Sequence, residues 1–235
     1  MKRPLAITAL AFAILFTFSS FSHASEEGKT NYWSGNVTLS YWSDYLVEGV
    51  PFLIHNQEVG LLSAWLGDSK GTHSIWAYGA VSSRYRETGI NYMLKFDENF
   101  RAIIFPFTWN IDGRSDWGVV FGIEAFSEEL PLNPRIGFLV GRVAKETEFN
   151  GYTGYVALQE TVFTVGLEGK VGFNSHFFCP EAHDLYATIK ACRKFKLTKE
   201  LFSEGFIQKY WANKSINCHN EFVWGVNFIM DLGRL

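Results

Sequence analysis

Apolar and polar residues alternate along most of this chain, and a period of two residues is the signature of β-strands rather than helices. The alternation is clearest near the C-terminus, between Glu221 and Leu232. One side of a strand there carries Phe222, Trp224, Val226, Phe228, Met230 and Leu232, and the other side carries Glu221, Gly225, Asn227 and Asp231. Such a segment is typical of the closing strand of a membrane barrel, which is apolar outside and polar inside.

The N-terminal end reads as an export signal. Lys2 and Arg3 precede an apolar run from Leu5 to Phe18, and Ser22-His23-Ala24 then presents the small-x-small pattern that a signal peptidase cuts. We therefore expect residues 1–24 to be a signal peptide, cleaved near Ala24, and residues 25–235 to form one domain. An exported chain with such a closing strand is expected in the outer membrane of a Gram-negative bacterium.

Composition suits a membrane barrel and argues against other classes of protein. Phe, Trp and Tyr make up 17% of the chain, a content that suits the two aromatic girdles of such a barrel. No stretch after the signal approaches the roughly 20 apolar residues of a transmembrane helix. The 21 basic and 24 acidic residues nearly balance, so we expect no nucleic-acid partner and no polybasic tether to a membrane.

We count 11 alternating segments, each near the roughly 9 to 11 residues that a tilted strand needs to cross a bilayer. Because bacterial single-chain barrels normally have an even number of strands, we predict an all-β fold: a single up-and-down antiparallel transmembrane β-barrel of 10 to 12 strands. The least regular stretch, Gly67 to Ser83, is expected to be a long loop or a loop with one short extra strand. A soluble β-barrel or β-sandwich in the periplasm would show the same alternation and stays open as an alternative.

Two short stretches resemble a known family. Ser43-Asp44-Tyr45-Leu46-Val47-Glu48-Gly49 resembles the opening strand of the small porins of the TorF family, in which Ser-Asp-Tyr leads to an Arg-Gly pair and Arg stands at the position of Glu48. The segment from Leu130 to Pro134, between two strands, also resembles outer-membrane barrels of this length. The resemblance implies an outer-membrane channel and brings no catalytic residues with it.

The C-terminal segment also resembles the signal that the outer-membrane assembly machinery reads. Phe228, Met230 and Leu232 stand at alternate positions after Gly225, and the chain continues with Gly233-Arg234-Leu235 where such signals usually end in Phe or Trp. This resemblance implies that the assembly machinery and outer-membrane lipid are partners of the barrel.

If the apolar faces point to lipid, the alternate residues line the lumen. The charged residues predicted to line it are Glu87, Lys95, Arg101, Glu124, Arg142, Glu160, Glu168, Lys170, Asp184 and Lys190. Charged side chains select solutes in water-filled pores, so we expect passive diffusion of small polar solutes with no catalytic residue, cofactor or metal. The alternative is that these side chains pair and plug the barrel, since barrels of about 8 strands are filled by side chains and larger ones leave a channel.

Two cysteines are predicted to join neighbouring loops. Cys179 and Cys218 fall in the presumed loops 174–183 and 212–220, which are separated by two strands and therefore emerge at the same rim of an up-and-down barrel. A disulfide between them is one hypothesis, and two reduced or differently paired thiols are the other. Cys192 lies mid-strand, opposite the apolar set, and is expected to fill space.

A lipid-modifying enzyme and a non-conducting adaptor are the alternatives to a pore. An enzyme of this kind needs Ser, His and an acid within hydrogen-bond reach, and the histidines after the signal share no strand face with a serine; they are His55, His73, His176, His183 and His219. Ser175 and His176 are adjacent, but neighbours on a strand point to opposite faces. An adaptor would present its loops to a partner, above all the stretch from Gly67 to Ser83.

Overall fold

The computed structural model describes residues 32–44, 46–47, 50–51, 58–177, 183–212 and 222–234. The strands, in chain order, are β1 (Trp33–Trp42), β2 (Leu46–Val47), β3 (Val50–Pro51), β4 (Val59–Asp68), β5 (His73–Val81), β6 (Tyr85–Asp97), β7 (Phe100–Ile111), β8 (Arg114–Phe126), β9 (Arg135–Val143), β10 (Gly151–Val162), β11 (Val165–Ser175), β12 (His183–Lys196), β13 (Leu201–Ala212) and β14 (Phe222–Arg234). A short 3₁₀ turn spans Thr147–Phe149.

Twelve of these strands form one closed antiparallel barrel in the order β1-β14-β13-β12-β11-β10-β9-β8-β7-β6-β5-β4, and β2 and β3 form a small separate hairpin. The predicted up-and-down barrel of 10 to 12 strands is therefore confirmed, with 12 strands. The last strand closes it, because β14 pairs on one side with β13 and on the other with β1. Leu39 of β1 and Ser203 of β13 both lie opposite Phe228 of β14.

The twelfth strand lies in the stretch from Gly67 to Ser83, of which the sequence favoured a loop and admitted one short extra strand. Here β5 runs from His73 to Val81 and pairs with β4 and β6 along its length. Its alternation is weak, because Trp76, Tyr78 and Ala80 point inward while Ile75 and Ala77 point outward, so both faces are apolar.

The barrel has two different ends. At the end where β1 begins and β14 finishes, strands are joined by the connections 69–72, 98–99, 127–134, 163–164 and 197–200; we call it the turn end. The opposite end, which we call the loop end, receives the connections 43–58, 82–84, 112–113, 144–150, 176–182 and 213–221. Outer-membrane barrels have short turns at their periplasmic end and longer loops at the other.

Side chains alternate between the inside and the outside of the wall along each barrel strand. On β8, Asp116, Val120 and Glu124 are buried, whereas Trp117 and Phe121 are exposed. The other strands repeat the pattern, so the outer surface carries a band of exposed Leu, Ile, Val and Phe and the interior carries the polar side chains. In the described part of the chain, no helix is long and apolar enough to span a membrane.

Candidate functional site

A chain of ion pairs crosses the interior wall of the barrel near the turn end. Arg101 of β7 donates to Glu124 of β8 through Nε, at 3.0 Å, and through Nη2, at 2.7 Å. The other oxygen of Glu124 lies 4.0 Å from Nε of Arg135 on β9. Arg135 in turn donates from Nη2 to Glu168 of β11, at 2.5 Å. Arginine and glutamate thus alternate along the wall, and the chain of pairs ends on a carboxylate.

The pair between Arg135 and Glu168 spans strand β10, which lies between β9 and β11. The inward residue of β10 opposite Arg135 is Ala157, which has no exposed surface and is also opposite Lys170 of β11. The inward residue of β10 opposite Glu168 is Gln159, so the ion pair crosses β10 diagonally, and the small side chain of Ala157 leaves room beside Arg135. A small residue on β10 therefore makes the continuous chain of charges possible.

Three inward lysines stand over aromatic rings. Lys95 Nζ lies 5.2 Å from the centre of the Phe126 ring, and Lys190 Nζ lies 4.8 Å from the centre of the Phe206 ring. Lys170 lies 4.5 Å from the centre of the Tyr155 ring. Such cation–π contacts hold an ammonium group while leaving its charge available to a ligand.

The turn end opens into a polar vestibule with a cavity volume of about 750 Å³. Lys95, Arg101 and Arg135 enter it from the wall, and Lys70 and Asn133 enter it from the connections at the rim. Since Arg101 and Arg135 also belong to the chain of ion pairs, that chain forms part of the lining of the vestibule.

Aromatic side chains fill the loop-end half of the interior. The buried inward rings there are Tyr78, Tyr85, Phe105, Phe107, Trp109, Tyr155, Tyr186 and Tyr210. Two further rings, Phe149 and Phe177, come from loop-end connections and are buried in the same cluster. Phe149 meets Trp109 edge-on, with ring centres 6.0 Å apart. The interior is therefore wide and charged towards the turn end and narrow and aromatic towards the loop end.

Inward glycines make room for some of these rings. A Cβ atom on Gly118 of β8 would lie 2.5 Å from both the Phe107 ring and the carbonyl oxygen of Arg142. A Cβ atom on Gly137 of β9 would meet the ring of Tyr155 in the same way. The rings of these neighbouring strands therefore lie flat against the wall where the glycines are.

Acidic groups inside the aromatic half are hydrogen-bonded. Both carboxylate oxygens of Glu87 accept a tyrosine hydroxyl, one from Tyr78 and one from Tyr85. Asp116 accepts the backbone N–H groups of Lys145 and Glu146, at 2.9 and 2.8 Å, and so fixes the start of the connection 144–150. These two acids hold structure in place, and buried carboxylates require partners of this kind.

Of the residues predicted to line the lumen, most lie on the inward face. Those with inward side chains are Glu87, Lys95, Arg101, Glu124, Glu168, Lys170 and Lys190. Arg101, Glu124 and Glu168 are brought into one network by Arg135, which the sequence analysis missed. Counting alternate residues back from the apolar Ile136 and Phe138 would have placed Arg135 inside. Glu204, also inward, accepts a hydrogen bond from the Asn227 amide at 2.9 Å and was missed as well.

Two of the predicted residues are on the outside, which corrects their assignment to the lumen. Arg142 shares its face of β9 with the exposed Ile136 and Phe138, and Glu160 shares its face of β10 with Val156 and Leu158. Both lie towards strand ends, where single charged residues also occur on the outward face and polarity alone does not indicate direction. For Asp184 the structure describes the backbone alone, paired with Asn174.

Of the three cysteines, the structure describes Cys192. Cys179 and Cys218 lie outside the described residues, as do His55, His219 and residues 1–31. Cys192 is a free thiol, half-buried on the inward face against Phe206. Within the described ranges, no three His, Cys, Asp or Glu side chains come together as a metal site would require.

The pair Ser175 and His176 departs from the expected geometry. Ser175 Oγ lies 3.3 Å from His176 Nδ1, because His176 leaves the strand with a φ of 58° and its ring turns back. Ser175 is 95% covered, with a relative exposure of 5%. A serine nucleophile needs an accessible hydroxyl, so this contact does not supply one.

Comparison with known proteins gives the fold a precedent. The chain matches no protein-family model and no curated protein by sequence. Among solved structures it is similar to a KdgM porin, with a TM-score of 0.54, 8% identity, and 83% of this chain and 98% of that chain covered. It is also similar to the NanC porin, with a TM-score of 0.52, 9% identity, and 84% and 100% covered. At these identities the likeness concerns the fold, and the resemblance to the TorF family stays a prediction.

Proposed function

We propose that this protein is a porin-type barrel of the bacterial outer membrane that lets small charged solutes diffuse through its interior. The observation that carries the proposal is the polar vestibule, whose wall of inward Lys95, Arg101 and Arg135 is reached from the turn end. A solute entering there meets the ammonium groups of Lys70 and Lys95, with the acid Glu128 also in the lining. Arg101 and Arg135 are paired with Glu124 and Glu168, so the positive excess comes from the lysines. Charged rings of this type select ions and small molecules in pores.

The band of exposed apolar residues supports a membrane setting. Ile90, Ile104, Phe121, Ile136 and Ile189 are examples from five different strands, and each is exposed on the outer wall. A soluble barrel of this size would leave such a band in water, where large apolar patches promote association. A closed barrel also leaves no unpaired strand edge, which lipid requires.

The aromatic half of the interior sets a limit on the solute. Because Tyr78, Phe107, Tyr186 and Tyr210 are almost fully covered, the route there is narrow and must widen by side-chain movement or admit only small molecules. One related structure is a KdgM porin in complex with disordered oligogalacturonate. We propose small acidic saccharides as the first solutes to test, since lysines over aromatic rings suit both carboxylates and sugar faces.

The features that favoured an adaptor or an enzyme are weakened by the structure. The adaptor interpretation relied on the stretch from Gly67 to Ser83 as a presented loop, and most of that stretch is strand β5. The enzyme interpretation needs Ser, His and an acid within hydrogen-bond reach, and Ser175, which lies beside His176, is buried. We therefore propose a pore with no catalytic residue.

Single-channel recording tests the proposal. The mature protein, refolded in detergent and shown to be folded by a heat-modifiable shift on a gel, is added to a planar lipid bilayer. Discrete conductance steps that fall when a small acidic saccharide is added are expected. A folded barrel that inserts and conducts nothing would reject the pore.

A further inference from the structure

The outward residues nearest the loop end form a ring around the barrel, which we call the loop-end ring. On five of the twelve barrel strands its exposed member is aromatic or apolar: Tyr41 on β1, Tyr152 on β10, Leu185 on β12, Trp211 on β13 and Phe222 on β14. Aromatic rings at such a position mark the membrane–water interface of an outer-membrane barrel.

Two arginines occupy one side of this ring. Arg86 of β6 and Arg142 of β9 are both exposed and both on the outward face of their strands. Neither side chain forms an ion pair, a hydrogen bond or a ring contact with any residue in the described part of the chain. Lys209, another outward cation near this end, instead lies over the Phe222 ring at 4.3 Å. Arg86 and Arg142 therefore keep their donors for something outside the chain.

The two arginines stand at the same height on the barrel. Arg86 lies opposite Asn110 of β7, Asn110 lies opposite Ser115 of β8, and Arg142 lies opposite Val119, four positions further along β8 towards the turn end. We call a line around the barrel parallel to the membrane plane a level line. Where strands are tilted by about 35–45° and spaced by about 4.8 Å, a level line departs from a row of paired residues by roughly 1 to 1.5 residues at each strand. Three strand steps, from β6 to β9, give about 4 residues, which matches the observed offset.

The slip also has the required direction. A row of paired residues that begins at Lys95 near the turn end of β6 passes through Glu124 and Tyr155 and reaches Ala212 at the loop end of β13. Rows of paired residues therefore approach the loop end from β6 to β9. Residues at equal height, on one level line, must then lie progressively further towards the turn end than the paired residues do. Arg86 and Arg142 lie on one such line.

The wall between the arginines is polar and carries further donors. The hydroxyl groups of Thr88 and Thr108 are 2.9 Å apart on the outer surface, and either oxygen can donate. The indole of Trp117 is 59% exposed beside them. Two nearby acids are engaged elsewhere, since Asp112 is paired with Arg84 and Asp116 accepts backbone N–H groups. Glu146 and Glu148, in the connection 144–150, form no ion pair with Arg86 or Arg142 in the part of the chain described.

We propose that Arg86 and Arg142 bind the phosphate groups of a phosphorylated lipid in the leaflet that meets the loop end. The inference rests on the proposed function, because it requires the barrel to lie in a membrane. Arginine offers a planar fork of donors that fits two oxygens of one phosphate. Unpaired charge on the lipid side of a barrel destabilises it unless it lies near the headgroups, which is where the loop-end ring places these side chains.

Native mass spectrometry of the detergent-solubilised full chain tests the proposal with lipid A as the probe. The wild-type protein is compared with the double variant Arg86→Ala/Arg142→Ala. Arg193→Ala is the matched control, because Arg193 is also an exposed outward arginine but lies near the turn end. Losing charge-assisted hydrogen bonds to phosphate should raise the apparent Kd for lipid A by at least about 10-fold in the double variant. The control should bind as the wild type does.

The source of the phosphate is distinguished by two further probes. Lipid A from which both phosphates have been removed should bind wild type and double variant equally, and a difference there would overturn the proposal. Inorganic phosphate that binds with the same Kd as lipid A would show a general anion site instead of a lipid site. Equal loss of lipid A binding in Arg193→Ala would show charge attraction without a defined site and would also overturn it.

The same proteins separate this inference from the pore. Arg86 and Arg142 lie outside the wall, so the conductance of the double variant is expected to equal that of the wild type. A wild-type barrel that binds lipid A selectively but does not conduct would reject the pore and support the lipid site. A conducting barrel whose lipid A binding ignores both arginines would support the pore and reject the lipid site.

Discussion

Arg135 on β9 and Glu168 on β11 form an ion pair, with Nη2 and Oε2 2.5 Å apart, although a whole strand lies between their own strands. On the intervening strand β10, the residue opposite Arg135 is Ala157, which is fully buried and has only a methyl side chain, and we infer that this leaves room for the guanidinium. It connects the pairs of β7 and β8 to the lysine-bearing wall of β11 and β12. The charged face of the lumen thus depends on a residue without charge.

Ala157→Leu is expected to break this ion pair. The added side chain would occupy the path of Arg135, and overpacking a filled site typically costs about 1–3 kcal/mol. We expect a lower midpoint of heat-induced unfolding, followed by the gel shift of the folded barrel, and an altered single-channel conductance. Val156→Leu on the outward face of the same strand is the control and should leave the conductance unchanged. Equal conductance in Ala157→Leu would show that the ion pair does not shape the route.

Reversal of the free lysines is expected to change ion selectivity. Lys95 and Lys190 contact rings and, among the residues that the structure describes, form no ion pair with a carboxylate, so we expect the wild-type pore to favour anions. Lys95→Glu/Lys190→Glu should shift the reversal potential in a KCl gradient towards that of a cation-selective pore. Arg193→Glu makes a charge reversal on the outer wall and should shift it much less. An unchanged reversal potential in the double variant would place the ion route elsewhere.

Removal of a buried ring should widen the narrow half of the interior. Phe107→Ala takes away a ring that is 4% exposed, and we expect a larger single-channel conductance together with a loss of stability of about 3–5 kcal/mol. Phe121→Ala removes the same ring from the outer wall, where the side chain is 47% exposed. That control should leave conductance at the wild-type value. If both variants conduct as the wild type does, the aromatic cluster is not on the solute's route.

A side chain at Gly118 is expected to be costly. Its Cβ would come within 2.5 Å of the Arg142 carbonyl oxygen, which is backbone and cannot swing away. We expect Gly118→Ala to lower stability by about 1–3 kcal/mol, measured by urea unfolding of the folded barrel in lipid vesicles. Gly169→Ala is the matched control, since its Cβ would meet no atom within 4 Å. Equal stabilities would contradict the close approach.

The turn that carries Asp112 should respond to pH. The hydrogen bonds from Arg84 lower the pKa of Asp112 below its ordinary value. A lowered pKa means that the pair stabilises the fold above the ordinary pKa of an aspartate, about 3.9, and that this stabilisation disappears as pH falls through the lowered value. Arg84→Ala should therefore raise the pKa of Asp112 towards 3.9, observed as a shifted NMR titration of its carboxyl carbon. An unshifted titration would mean that the two side chains are apart in solution.

The sequence predicted the strands whose two faces differ in polarity. On β6, β8 and β11 an apolar face alternates with a charged one, so the inward positions of Lys95, Glu124 and Lys170 follow from local alternation. Strand β5 has apolar residues on both faces, because its inward Trp76 and Tyr78 pack in the aromatic half of the interior. The two faces of β5 therefore do not differ in polarity, and the sequence shows no alternation by which the strand could be distinguished from a loop.

The network within the lumen was beyond prediction for another reason. Arg135 meets Glu168 across an intervening strand, and a local pattern carries no information about the register of three strands at once. Arg142 and Glu160 show the opposite failure, since a charged residue near a strand end looks like a lumen residue although it faces outward. Their positions follow from counting along the strand from a residue of known direction.

All pairs of neighbouring barrel strands except one join strands that follow each other along the chain, if β1 and β4, which are separated only by the small hairpin of β2 and β3, are counted as consecutive. The exception is the seam between β1 and β14. Successive hairpins need only segments that are consecutive along the chain, whereas the seam can form only once β14 is in place. Until then two strand edges stay open, each with a row of N–H and C=O groups that a hydrocarbon environment does not tolerate. A chain that stopped before Phe222 would keep its earlier hairpins and still have no wall that could remain in a bilayer.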